Sequence, residues 1–178
     1  FACSLALTAP AFAAKRVALV IGNNDYKNVP KLQKAVNDAR TMGDTLKQLG
    51  FTVMVAENQN RQAFSQTLLA FDRSVEAGDT AFFFYAGHGF EIAGQNFLLP
   101  TDVPAATEGQ EELVRDASIL ADRVIERLQT TGTQVIAAAN PLRGISTDSA
   151  YVASVFEQVP GPVLAVGHSY GGAVISNA

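Results

Sequence analysis

Two short runs of this 178-residue chain are apolar at nearly every position: Arg16–Ile21 (RVALVI) and Thr80–Tyr85 (TAFFFY). A strand with one face in water alternates apolar and polar side chains. A continuous β-branched or aromatic run of this length fits a strand buried on both faces. Such a strand needs cover above and below, and the residues between the runs supply it. From Gln33 to Leu49 the apolar positions are Ala35, Val36, Ala39, Met42, Leu46 and Leu49, which is helical spacing closed by Gly50. Phe51–Val55 reads as a second strand. Arg61–Val75 reads as a second helix, with Phe64, Leu68, Leu69 and Phe71 inward and Gly78 as its stop. Phe90–Leu99 reads as a hairpin turned at Gly94, Pro100–Ala117 as polar loop, and Ile119–Leu128 as a third helix. Val135–Ala139, Asp148–Gln158 and Pro162–Val166 continue the pattern as strand, helix and strand. Strands alternating with helices give an α/β fold, a mostly parallel sheet with helices on both faces. Right-handed crossovers then gather the loops after the strands at one sheet edge, where ligands bind in such folds. His88, Asn140 and Ser169 each follow a strand in this reading.

Composition narrows the chemistry. Net charge is 13 − 17 = −4, so no nucleic-acid partner is expected. No apolar run approaches the roughly 20 residues of a membrane span. Cys3 is the one cysteine, which excludes an intramolecular disulfide and a cysteine zinc site. The histidines are His88 and His168 alone, so a general base has few candidates. Asp25, Asp38 and Asp102 read as caps or turn formers rather than as a cation site. No G-x-G-x-x-G follows Ile21-Gly22-Asn23, which argues against a dinucleotide, and no cofactor is implied. Phe1–Ala14 (FACSLALTAPAFAA) is small, apolar and uncharged, with Ala11-Phe12-Ala13 as a small-x-small site. It reads as a signal-peptide remnant, so the expected location is exported, periplasmic or secreted, with the mature start near Ala14 or Lys15.

Two constellations carry chemistry. In Tyr85-Ala86-Gly87-His88-Gly89 an imidazole sits between glycines just after a buried strand. Glycines there allow unusual backbone angles and close substrate approach, and the Gly89 amide can face a developing oxyanion. In Gly167-His168-Ser169-Tyr170-Gly171 a G-x-S-x-G follows an apolar strand, the context of a nucleophile elbow.

The first constellation belongs to a series: Arg16–Tyr26 (RVALVIGNNDY), Leu32 with Ala35-Val36-Asn37-Asp38-Ala39, Leu49-Gly50-Phe51, Phe82–Gly89 (FFFYAGHG) and Asn96–Asp102 (NFLLPTD). In order and spacing this series resembles the large subunit of caspase-like cysteine peptidases, especially bacterial relatives of metacaspases, over about residues 16–131. The resemblance implies proteolysis of a peptide or protein substrate by a Cys–His dyad. His88 would be the catalytic histidine and Gly89 part of the oxyanion hole. Two departures follow. The family's cysteine ends the strand after the third helix, where this chain has Asn140-Pro141, and no cysteine stands anywhere beyond Cys3. Caspases that cut after aspartate carry an arginine before the first helix, at the position of Leu32 here, so an aspartate preference is not expected.

Residues 135–178 resemble the elbow region of a serine α/β-hydrolase of esterase type, carried by Val135–Gly144 (VIAAANPLRG) and Val163–Gly172 (VLAVGHSYGG). This resemblance implies Ser169 as nucleophile and Tyr170 as an oxyanion amide, with His168 a variable position of the motif. The expected organisation is a remnant at 1–14, a caspase-like domain at 15–131 lacking its cysteine, and a hydrolase-like segment at 132–178 lacking its acid and base. As given, such a hybrid chain is expected to be inactive as a cysteine peptidase. Strands two places apart are roughly 10 Å apart, so a Ser169–His88 dyad is not expected either. A non-catalytic peptide- or partner-binding module is the remaining alternative.

Overall fold

The structure, a computed structural model, describes residues 15–130 and 144–158. The elements run β1 (Arg16–Gly22), α1 (Ala35–Gln48), β2 (Thr52–Glu57), α2 (Arg61–Asp72), β3 (Thr80–Ala86), β4 (Gly89–Ile92), β5 (Gln95–Leu98), α3 (Glu111–Ala117), β6 (Ile119–Leu120), α4 (Ala121–Thr130) and α5 (Ile145–Glu157). The main sheet has the order β2-β1-β3 and is parallel throughout, with Leu19 opposite both Met54 and Phe83. A smaller antiparallel sheet, β4-β5-β6, follows it.

Period-two alternation in the central strand sends its side chains to two cores. Val17, Leu19 and Ile21 join Phe83 and Tyr85 of β3, Phe64, Leu68 and Phe71 of α2, and Val124 of α4. Ala18 and Val20 join Phe82, with Ala39 and Leu46 of α1, on the opposite face. Helices therefore cover both faces of a parallel sheet, the α/β arrangement expected. Leu19, Val20, Ile21 and Phe64 are fully buried, and each such side chain stabilises the fold by about 1.5–3 kcal/mol. Helix α1 ends as the glycine after Leu49 foretells. Gly50 (φ +83°) and Phe51 donate their N–H groups to the carbonyls of Lys47 and Leu46, a Schellman closure.

Three expectations need correction. Pro100–Ala117 is not loop throughout, because Glu111–Ala117 forms α3. No residue of that helix is fully buried; Val114 and Ala117 alone pack, half-buried, against Tyr26, Leu99 and Val103, too few positions for an apolar stripe, and Glu111 and Glu112 in the first turn with Arg115 in the last suit the helix dipole. The third helix starts at Ala121, because Ile119–Leu120 pair with Leu98 and Phe97 as β6. That pairing is non-local and invisible to a local pattern. Gly78 (φ +91°) does not stop α2, which ends at Asp72; it serves a later turn in which Asp79 N–H donates to the Glu76 carbonyl. The strands expected at 135–139 and 162–166 lie outside the described residues, as do residues 1–14.

Candidate active site

The loops after β1, β2, β3 and β5 meet at the carboxyl edge of the parallel sheet, tied together by asparagine side chains. Asn23 is fully buried. Its Nδ2 donates to the Leu99 carbonyl (3.2 Å), and its Oδ1 accepts from Gln59 N–H (2.8 Å). Asn58, in the left-handed region at φ +49°, accepts the N–H groups of Asn24 (2.9 Å) and Asp25 (3.0 Å). Asn24 Oδ1 accepts Val36 N–H (3.2 Å) at the start of α1, whose Lys34 cap makes no side-chain bond. Asp102 accepts Arg61 N–H (2.8 Å) at the start of α2, the capping work expected of it. Gly22 lets α1 approach: a Cβ there would lie 2.6 Å from the Ala35 carbonyl oxygen.

His88 is half-buried at this edge, and its backbone is held on both sides by tyrosine hydroxyls. His88 N–H donates to Tyr26 Oη (2.8 Å), and Tyr85 Oη donates toward the His88 carbonyl (3.0 Å). The two hydroxyls are 3.0 Å apart, and both reach the Leu99 carbonyl, at 2.7 Å from Tyr85 and 3.2 Å from Tyr26. Burial pushes both phenols above the usual range, so they remain neutral donors. The imidazole leans on the Tyr26 ring, centroids 4.6 Å apart. Its Nε2 lies 2.8 Å from the Pro30 carbonyl oxygen. A carbonyl only accepts, so Nε2 carries the proton. In the neutral ring Nδ1 then holds the lone pair, and among the described residues it has no hydrogen-bond partner. A ring whose tautomer and angle are fixed from behind, with its other nitrogen open, is the arrangement of a positioned base.

Gly89 begins β4. Leu99 N–H donates to the His88 carbonyl (3.0 Å), so residues 88 and 99 form a hydrogen-bonded pair and Gly89–Leu98 the non-bonded one. The Gly89 N–H is thereby directed away from β5, on an exposed residue next to His88. Neither flanking glycine has a positive φ, which corrects the reading that they supply unusual angles. Gly87 is required for space instead: a Cβ there would lie 2.6 Å from Tyr26 Oη and from Tyr85 Cζ. Leu32 packs half-buried against Tyr26, Leu99 and Val103 and offers no charge to a substrate. Ser169, Tyr170, His168, Asn140 and Cys3 lie outside the described residues. Sequence reasoning gave Tyr26, Tyr85, Asn23 and Pro30 no role. Tyr26 and Tyr85 stand inside the quoted motifs, and a hydroxyl among otherwise apolar neighbours was the available signal.

A caspase domain profile matches residues 15–137, against 131 as the end expected from sequence. The mucosa-associated lymphoid tissue lymphoma translocation protein 1 of Homo sapiens is 36% identical over 96 residues, covering 52% of this chain and 11% of that protein. Its Mus musculus homolog is 35% identical over 101 residues, covering 54% and 12%. The chain thus spans only a small part of the curated relatives it matches. The crystal structure of protein GSU0716 from Geobacter sulfurreducens aligns with a TM-score of 0.48 at 19% identity, covering 64% of this chain and 44% of that one. With the profile spanning more than half of its residues, the chain belongs to the caspase domain family and carries a caspase-type peptidase domain.

Proposed function

We propose that the edge around His88 is the peptide-cleaving cleft of a caspase-type cysteine endopeptidase, with His88 as the general base for a thiol. The observation that carries this reading is the 2.8 Å contact from Nε2 to the Pro30 carbonyl, which leaves Nδ1 as the basic nitrogen. In the reaction Nδ1 takes the thiol proton and the thiolate attacks the peptide carbonyl. The Gly89 N–H donates to the oxyanion that forms. The imidazolium returns its proton to the leaving amine, and water activated by the same nitrogen hydrolyses the thioester. The substrate is a peptide or protein segment.

Cys3 is the one cysteine of these 178 residues, and on this reading Asn140 takes the place of the family's nucleophile. On this reading the 178 residues bind peptide in the cleft without turning it over. The test compares the chain with Asn140→Cys, alone and combined with His88→Ala. The new thiol is expected to alkylate fast at pH 6, where an ordinary thiol of pKa about 8.5 is almost wholly protonated, and to lose that reactivity with His88→Ala. Alkylation that follows an ordinary thiol titration, unchanged by His88→Ala, overturns the reading.

A further inference from the structure

We propose that a cavity between α2, α3, α4 and β5, lined by none of the His88 contacts, binds a small polyanion carrying two or more phosphate groups. The cavity, open to solvent on one side, has a volume of about 480 Å³ and is lined by Arg61, Arg115, Arg123 and Arg127 together with the apolar Leu68 and Phe97. This volume lies within the range of small-molecule sites. The four are half of the eight arginines in a chain of net charge −4, and no lysine joins them.

Two of the four, Arg61 on α2 and Arg123 on α4, have no ion pair among the described residues. Asp116 is the one carboxylate in the lining, and it bonds Arg115 (3.2 Å), which also faces Glu112 (3.6 Å). Arg61 reaches only Ser65 Oγ (3.4 Å) with its guanidinium, and Arg123 has no ion pair among the described residues. Arg123 and Arg127 stand one turn apart on α4, a like-charge spacing that weakens an isolated helix. Two guanidiniums without an ion pair, Arg61 and Arg123, facing one depression in a chain of net charge −4 suit an anion. Guanidinium forks match phosphate oxygens two at a time, which an ammonium cannot do. Charge on both the α2 and the α4 walls asks for more than one anionic group. A concave site with apolar residues in its lining suits a compact molecule better than a nucleic-acid backbone, which needs an extended basic stripe.

The cavity is distinct from the histidine cleft, so this inference stands whether or not the peptidase reading does. The probe is inorganic tripolyphosphate, titrated calorimetrically into the full chain. One saturable site is expected, weakened about tenfold or more by Arg61→Gln or Arg123→Gln and changed less than about twofold by Arg73→Gln at the far end of α2. Single inorganic phosphate is expected to bind more weakly than tripolyphosphate. Should either glutamine variant unfold, arginine side-chain NMR signals of the unmodified chain decide: shifts confined to Arg61, Arg115, Arg123 and Arg127 support the site, and their absence overturns it. Unsaturable binding, binding indifferent to Arg61→Gln and Arg123→Gln, or tighter arginine-dependent binding of a glutamate-rich decapeptide each overturns the proposal, the last by assigning the cavity to an acidic protein segment.

Discussion

Replacing each tyrosine of the histidine clamp by phenylalanine separates two roles that look alike on inspection. Both substitutions keep the ring, including the stacking of Tyr85 on Phe64 at 5.7 Å, and remove one buried hydroxyl. Their consequences differ in what is left behind. Without Tyr85 Oη, the Leu99 carbonyl still accepts from Asn23 Nδ2 and Tyr26 Oη, and the His88 carbonyl still accepts Leu99 N–H. The cost is that of one net hydrogen bond, about 0.5–1.5 kcal/mol. Without Tyr26 Oη, the His88 N–H loses the acceptor that holds it. A donor stranded in a half-buried site costs about 1–3 kcal/mol in addition to the bond itself. Urea unfolding at neutral pH is therefore expected to rank Tyr26→Phe as the more destabilising, by a margin of about 1 kcal/mol. The His88 ring signals, observable by NMR with only two histidines in the chain, should move in Tyr26→Phe more than in Tyr85→Phe, since the ring also rests on Tyr26. Equal costs, or a larger loss in Tyr85→Phe, would refute the clamp as drawn.

Gly87→Ala forces a methyl within 2.6 Å of Tyr26 Oη and Tyr85 Cζ and is expected to cost about 3 kcal/mol, read as a lowered thermal midpoint. Ala93 sits at φ +52° beside Gly94 at φ +79° in the two-residue turn joining β4 and β5; Ala93→Asn, better suited to such a turn, is expected to stabilise by about 1 kcal/mol in the same assay. Arg40 grips Glu57 with two bonds of 2.6 and 2.7 Å, and that bonding holds the Glu57 carboxyl below its usual value of 4.5. A lowered folded pKa contributes stability that is complete above the unfolded value and fades as pH falls through the folded one, so the destabilisation by Glu57→Gln seen at neutral pH should shrink on acidification below about pH 4 and in high salt; a difference that persists undiminished in acid refutes the pairing.

What the sequence made legible is what local pattern encodes. β1 and β3 stood out because both of their faces are buried, and the alternation that splits Leu19 from Val20 is already in the run RVALVI. The end of α1 was legible because Gly50 supplies the left-handed residue that its closing bonds require. The hairpin was legible from Gly94. α3 was missed because it is short and only Val114 and Ala117 face the core, and β6 because two residues carry no period. At the site, His88 was found through its glycine neighbours, although the reason for Gly87 is the pair of hydroxyls it packs against and not a backbone angle. Asn23, Tyr26 and Pro30 were not found, because each acts on residues 58 to 76 positions away. Sequence separation of that size leaves no local trace.

Those same long-range bonds hold the His88 backbone and ring in one place whether or not, as proposed, the ring serves a thiol. Tyr26, Tyr85 and Leu99 are core residues, each under 10% exposed, and the bonds that orient His88 are also bonds that close the sheet edge. Loosening this frame exposes buried hydroxyls and a buried asparagine. Stability therefore maintains the geometry around His88 by itself. The expectation that follows is specific: His88→Ala, which deletes the imidazole and leaves both backbone bonds to the tyrosines in place, should lower stability by less than Tyr26→Phe does. Unfolding curves of the two variants under one set of conditions give the comparison, and a larger loss in His88→Ala would mean that the ring, not the hydroxyl frame, holds this edge together.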